Sequence, residues 1–540
     1  MKHHPHHKLG EISAHLWGLA IPVIIGAVGG AILFLALRRA RLRFTWALLG
    51  VPLAYLAWFV DWHIGLAVAT ATAAMLYFGV KSHDEAIQHG GEEARTIRDS
   101  LGPLRWAYSR ASANRADKDR VKDGRLAIGT SSRGGPCRVP MGNARSGIHA
   151  LIAGATGSGK TVFEAAAGQA YIFEGFGGAT IAPKLDAFLC DTLKAAAERM
   201  GVRFWEWNPK GPLVYNPFAR GGPTEIVDKI LAGQSWTEPH YEMATQRQLG
   251  IVHSTMQAAG LWPPTMSGIV AHMDLERLDH LATKVGGQTE ERVHAYVDSL
   301  SERAKADLGG GRNRLAALAE SDLGPWLDPA LGAGETLDVA EALRRGDVVY
   351  FNLDADRYPK AAKLLGSALI VDLIGLTAEH QGKPLGAFLL IDEFAALSAE
   401  QVSRLFARAR SAGLSILLGT QSPADLRAAR PEDRTDSLTA QILDNIAFAV
   451  IHRIGDPDSA DYLARVAGTD PSWSVTQRIG GKGATFGVGE GTRTREREFL
   501  VGPDQFKRLR TGEAVVVDHT ARRPAQIVRI WTPIPPEQLL

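Results

Sequence analysis

Residues 149–162 read HALIAGATGSGKTV, and the order of their parts decides the fold. An apolar run, Ile148 to Ala153, leads into Gly154-Ala155-Thr156-Gly157-Ser158-Gly159-Lys160-Thr161. A helix-compatible stretch from Val162 to Phe173 follows. Strand, glycine loop and helix in that order is the context in which G-x-x-x-x-G-K-T cradles phosphates. The glycines let backbone N–H groups curl around an anion, and the helix N-terminus adds its positive dipole end. Lys160 is expected on the β- and γ-phosphates and Thr161 on magnesium.

A phosphate cradle needs a carboxylate partner. Residues 387–397, AFLLIDEFAAL, drive a buried-strand pattern straight into Asp392 and Glu393. Asp392 fits the acid that holds Mg2+, and Glu393 the carboxylate that polarises an attacking water. Parallel strands of one sheet can adjoin at any sequence distance, so the separation from the glycine loop is no obstacle.

The next segment extends the pattern. Ser398 and Gln401 stand in capping-box spacing, and Val402, Leu405, Phe406 and Ala409 recur at helical spacing up to Gly413. A strand over Leu414–Leu418 then reaches Gln421, whose amide can sense a γ-phosphate or orient water. Arg410, in the last turn, can project towards a neighbouring subunit's nucleotide.

Further strand-like runs at Ala179–Ile181, Val202–Trp205, Val348–Leu353 and Ala447–Ile451 alternate with helical patterns. Such alternation implies an α/β fold with a mostly parallel sheet and helices on both faces. Between Thr224 and Arg344 only helical patterns occur, as for an all-α insertion.

The first eighty residues differ in kind. Leu16 to Leu37 carry no charge over about 22 residues, enough for a bilayer crossing. Arg38, Arg39, Arg41 and Arg43 follow, and apolar sequence resumes from Phe44 to Val80, broken at Asp61–His63. Three spans are expected, near 16–37, 44–60 and 62–80, with the arginine loop and everything after Lys81 on the cytoplasmic side. Gly26 and Gly30 have the small-xxx-small spacing of close helix pairs. A basic linker, 81–124, includes Arg105, Arg110, Arg115, Lys118, Arg120 and Lys122, and Arg125 follows it; these could touch lipid headgroups or nucleic acid, or form a solvated helix.

Composition adds bounds. The chain has 540 residues, 45% hydrophobic, with 60 basic and 58 acidic side chains. Near-neutral charge confines any polyanion site to a local channel or patch. Cys137 and Cys190 lack metal-ligand spacing, which excludes a structural zinc framework. The opening MKHHPHHK reads as a solvated tail, residues 1–15. QRIGGKGATFGVGEGTRTREREF, with Arg478, Lys482, Arg493, Arg495 and Arg497, could line a nucleic-acid channel or form a surface hairpin.

Together, IHALIAGATGSGKTV, LLIDEFAAL and ARSAGLSILLGTQS resemble the FtsK–HerA superfamily of pumping ATPases. Within it they are most similar to the TraD/TraG-type coupling proteins of conjugative type IV secretion. YNPF (215–218), GGRNRLAAL (310–318) and GDVVYFNLD (346–354) add to the likeness. The resemblance implies a RecA-like domain over 125–222 and 345–535, an all-α domain over 223–344 and an N-terminal membrane anchor. It implies ATP and Mg2+ as ligands and a hexameric ring around DNA at the inner membrane, working with a relaxase complex and secretion channel. It gives Gly154–Thr161 to nucleotide, Thr161 and Asp392 to the metal, and Lys160, Glu393, Gln421 and, in trans, Arg410 to catalysis.

Two departures stand out. Relatives commonly carry Asp-Pro-Lys-Gly-Asp where this chain has Ala182-Pro183-Lys184-Leu185-Asp186. The segment LAIGTSSRGGPCRVPMGN (126–143) looks more like FtsK. A double-stranded DNA pump, a protein-threading secretion ATPase and a non-motor relaxase receptor therefore stay open beside the conjugative motor.

Overall fold

The computed structural model describes residues 20–35, 50–88, 102–132, 134–234, 238–332, 334–394, 397, 399–422, 442–477, 491–521 and 523–539. The chain forms two compact units. The larger comprises Ala116–Ser132, Pro136–Gly468 and Phe499–Leu540; the smaller comprises Met1–Arg115, Arg133–Gly135 and Thr469–Glu498.

The larger unit is built on one 12-stranded sheet. In chain order its main strands are β1 (Arg125–Ser131), β2 (Pro136–Pro140), β3 (His149–Ala153), β4 (Gly177–Ala182), β5 (Phe204–Trp207), β6 (Val348–Asn352), β7 (Ala387–Ile391), β8 (Leu414–Thr420), β9 (Phe448–Ile451), β10 (Glu513–Asp518) and β11 (Gln526–Ile530). Across the sheet they run β1-β11-β10-β9-β3-β8-β7-β4-β6-β5, with Val121–Lys122 on the outer edge of β1 and β2 paired to β1. From β9 to β5 every pairing is parallel; β9-β10, β10-β11, β11-β1 and β1-β2 are antiparallel.

The parallel half is the one legible in the sequence. Strands β3, β4, β6, β7 and β8 are buried along their whole length, which is why they read as unbroken apolar runs. One strand is displaced: the expected Val202–Trp205 forms at Phe204–Trp207, because Gly201 in the left-handed region closes the preceding helix and Val202 completes its cap. The antiparallel extension went unread. Its strands are as long as the parallel ones, and Val121–Lys122 turns into β1 at Asp123-Gly124, both with positive φ, as a two-residue hairpin.

Helices from Pro223 to Leu327 form the insertion. Its apolar faces, including Leu249, Val252, Met256 and Leu278, join the same hydrophobic cluster as Trp207 and Phe351 of the sheet. The short parallel pair Leu213–Val214 with Glu335–Thr336 closes its base. The YNPF segment anchors it: Tyr215 donates to Asp372 (2.9 Å), Asn216 to the Pro264 carbonyl (3.0 Å), and Phe218 is buried. Lys229, also buried, donates to the Pro217 and Arg220 carbonyls and pairs with Asp372.

In the smaller unit, helices cover 20–35, Gly50–Val60 and Trp62–Gln88, and Asp61 accepts from the His63 N–H at the hairpin between the last two. The apolar parts, Ala20–Leu35, Gly50–Val60 and Trp62–Phe78, are each shorter than a full span; Leu16–Leu19, the arginine cluster and Phe44–Leu49 lie outside the described residues. The one described helix long and apolar enough to cross a membrane, Pro359–Glu379, is mostly buried and belongs to the core of the larger unit. Gly26 and Gly30 do face Trp62–Gln88 at close range: a methyl at either would collide with the carbonyl of Ala67 or Ala71. A two-stranded sheet, Thr469–Gln477 with Gly491–Phe499, also falls in this unit. Arg478 and Lys482, like the histidine-rich tail, lie outside the described residues, and so do the side chains of Arg493 and Arg495.

The basic linker resolves into a helix, Gly102–Lys118, followed by cations bound within the larger unit. Arg120 donates to Asp117 (2.9 Å) and to the Thr532 carbonyl (2.7 Å), and Arg125 pairs with Asp518. Those two arginines therefore serve packing rather than a lipid or nucleic-acid surface.

Candidate nucleotide site

Register brings the motifs to one edge of the sheet. Thr420 of β8 lies opposite Ala153 of β3, and Leu418 lies opposite Ile391 of β7. The glycine loop, Asp392 and Gln421 thus leave the same, carboxyl, ends of neighbouring strands, where ligands of open α/β sheets bind.

The loop between β3 and the helix Lys160–Phe173 is glycine-bent where the sequence requires it. Gly157 and Gly159 have φ of 73° and 108°, a region that a side chain strongly disfavours. Gly159 is the helix N-cap and offers no side-chain cap, so the first N–H groups of the helix stay available to an anion. Behind the loop, Ala155 N–H donates to the Arg453 carbonyl (2.9 Å), Gly512 N–H to the Ser158 carbonyl (3.0 Å) and Thr511 to the Gly157 carbonyl (3.3 Å). That brace comes from the C-terminal segments and left no motif in the sequence.

Lys160 turns inward. Its Nζ donates to the Asp392 carbonyl (2.6 Å), pairs with Asp392 Oδ1, and stands 3.4 Å from Glu164 Oε1. Burial alone would lower its pKa, but the facing Glu164 and Asp392 carboxyls outweigh burial and hold it above the usual lysine range. Burial pushes Glu164 well above the usual carboxylate range, against the pull of Lys160. Glu393, half-buried, accepts a 2.8 Å hydrogen bond from the Gln421 amide.

Of the residues expected at the site, the structure brings together the loop Gly154–Thr161, Asp392, Glu393 and Gln421. It does not bring Arg410, which precedes β8 at the opposite, amino end of the parallel strands and donates weakly to the Asn445 carbonyl (3.5 Å). Lys184 makes an exposed pair with Asp356 (3.1 Å), and Asp186 caps the next helix through Leu189 N–H (3.0 Å). Of the Ala182–Asp186 loop, Asp186 therefore has a structural role as a helix cap. Glu164 was missed; an acid four residues after Lys160, among alanines, was its one signal.

A glycine loop at a free helix N-terminus, a lysine and a facing carboxylate suit a nucleoside polyphosphate with a hard divalent cation. Fold and site define a RecA-like P-loop nucleotide-binding protein. Residues 387–511 match the family model described as the TraM recognition site of TraD and TraG. No curated protein matches the sequence. Among solved structures the chain is similar to the bacterial conjugative coupling protein TrwBdeltaN70 in unbound form. That match is 17% identical, covers 78% of this chain and 91% of that one, and has a TM-score of 0.57. The plasmid coupling protein TrwB in complex with ADP and Mg2+ gives 16%, 78%, 93% and 0.55. The same protein with a non-hydrolysable ATP analogue gives 16%, 79%, 95% and 0.55. The likeness to TraD/TraG-type coupling proteins read from the sequence is thus borne out, by family over residues 387–511 and by fold over most of the chain.

Proposed function

We propose that the chain is a membrane-anchored, ATP-driven DNA translocase that acts as a coupling protein in conjugative type IV secretion. The observation that carries this is the meeting of Lys160 with Asp392, beside the Gln421–Glu393 pair, at one edge of a coupling-protein fold.

The loop from Gly154 to Thr161 wraps the phosphates of ATP. Lys160, released from Asp392, neutralises charge on the β- and γ-phosphates, and Thr161 and Asp392 hold Mg2+. The cation supplies further neutralisation of the transferring phosphoryl group. Glu393 orients the attacking water, and Gln421 fixes Glu393. Arg410, remote from its own site, completes the site of a neighbouring subunit in a hexameric ring.

The apolar helices of residues 16–80 anchor the ring to the inner membrane in several passes, motor on the cytoplasmic face. Exposed Ile21, Ile24, Ile25, Val28 and Ile32 on the first of them favour a lipid surroundings. The all-α insertion, 223–344, and the TraD/TraG segment are the surfaces for relaxosome proteins and the secretion channel. DNA is gripped through its phosphates, not its base edges.

The test is the ATPase rate of the detergent-solubilised chain, alone and with single- or double-stranded DNA. Stimulation by DNA is expected. Hydrolysis indifferent to both DNAs under ring-forming conditions removes the DNA-motor reading, and stimulation by polypeptide instead points to a protein-threading motor.

A further inference from the structure

The chemistry above leaves one group in the floor of the site unused. Glu164 lies one helical turn beyond Lys160, and none of its side chain reaches solvent. Its Oε1 stands 3.4 Å from Lys160 Nζ, the ammonium that also pairs with Asp392 Oδ1, and no donor group meets Oε2. The opposing strand makes room for it. A methyl group at Gly419 of β8 would land on both Glu164 Oε1 and the Asp392 carbonyl.

Such an arrangement is costly if packing is its only purpose. A buried carboxyl costs several kcal/mol unless its oxygens are partnered, and a leucine or methionine would fill the space without that cost. What Glu164 offers that an apolar residue cannot is a second fixed acceptor for the ammonium that Asp392 holds.

We infer that Glu164 is a positioning residue for the metal site: its carboxyl holds Asp392 in place relative to Lys160, so that Asp392 presents an oxygen to the cation while Lys160 serves the phosphates. The inference rests on the reading of Asp392 as a Mg2+ ligand. Groups that hold a metal ligand from behind change metal affinity by about 10- to 100-fold when removed.

The experiment measures binding of a fluorescent ADP analogue to the full chain in detergent as Mg2+ is titrated, with thermal stability followed in parallel. Glu164→Leu raises the Mg2+ concentration for half-maximal tightening by about tenfold or more and leaves Mg2+-free binding close to wild type. Glu164→Gln, whose amide oxygen still accepts from Lys160, restores the wild-type midpoint. Should the leucine variant fail to fold, Glu164→Ala is read in the same way. A leucine or alanine variant with a wild-type Mg2+ midpoint overturns the inference, as does a glutamine variant that loses as much as leucine. If wild-type binding ignores Mg2+, the role of Asp392 itself falls, a separate and recognisable failure.

Discussion

Gln421 donates to Glu393 across 2.8 Å, tying the end of β8 to the end of β7 at the edge where the glycine loop opens. An amide so placed acts through the carboxylate it holds. Gln421→Ala is therefore expected to lower kcat about 100-fold, the lower end of a single acid–base contribution, and to leave ADP affinity unchanged. Steady-state ATPase assays with a parallel nucleotide titration decide it; equal loss of affinity would place Gln421 on the nucleotide instead.

Lys160 and Glu393 should separate binding from chemistry. Lys160 already bonds to Asp392, so removing it leaves a half-buried carboxylate without its cation and a phosphate site without its counter-charge. Lys160→Ala loses nucleotide binding. Glu393→Gln keeps binding and loses about 10²- to 10⁴-fold in hydrolysis. Binding by fluorescence and turnover by phosphate release are measured on the same preparations.

How far the sequence could be read follows from what each residue's partners are. Lys160, Asp392 and Gln421 were legible because phosphate chemistry demands those side chains at strand ends, and β3, β7 and β8 advertise themselves as apolar runs. Glu164 and the Thr511–Gly512 brace were not legible, since their meaning lies in who stands opposite, which only the sheet order supplies. Strand β11 pairs antiparallel with β1 from the other end of the chain, a partnership that again only the sheet order supplies. Arg410 was legible as a cation near a helix end, but its place at the far edge of the sheet was not.

The buried pair beneath the YNPF segment predicts a stability effect. Lys229 and Asp372 are almost wholly buried, and burial pushes Asp372 up while Lys229 and Tyr215 pull it back. Lys229→Ala strands that carboxylate and should cost about 3–5 kcal/mol, whereas Tyr215→Phe removes one hydrogen bond and costs about 1–3 kcal/mol. The joint replacement Lys229→Met with Asp372→Leu recovers most of the loss. Urea denaturation of the single and double variants tests the non-additivity.

Three buried histidines predict a pH dependence of definite sign. Burial lowers His149, His253 and His452 to about 4 each, with the Arg410 cation adding to the effect at His149. The unfolded chain takes up these protons near pH 6.5, the folded chain only near 4, so the stabilisation is complete above pH 6.5 and is lost as pH falls towards 4. Each histidine contributes a slope of up to about 1.4 kcal/mol per pH unit in that window. Urea midpoints between pH 7 and 4.5 should show it, and His253→Gln should flatten the slope by about a third, one histidine in three; an unchanged slope would refute the assignment to these side chains.

Close helix contact in the N-terminal region carries its own internal control. Gly26 and Gly30 face the helix Trp62–Gln88, and a methyl at either meets backbone; Gly29, between them, has nothing within 4 Å. Under the proposed membrane anchoring, with no solvent-driven force between helices in lipid, such contact is what association depends on. Gly30→Leu should separate the helices and Gly29→Leu should not. In detergent, the first lowers the yield of monodisperse chain and its thermal midpoint, and the second leaves both unchanged. Since the substitutions are identical in hydrophobicity and one residue apart, a general effect of added apolar bulk would move both variants together, and only the packed face would set them apart.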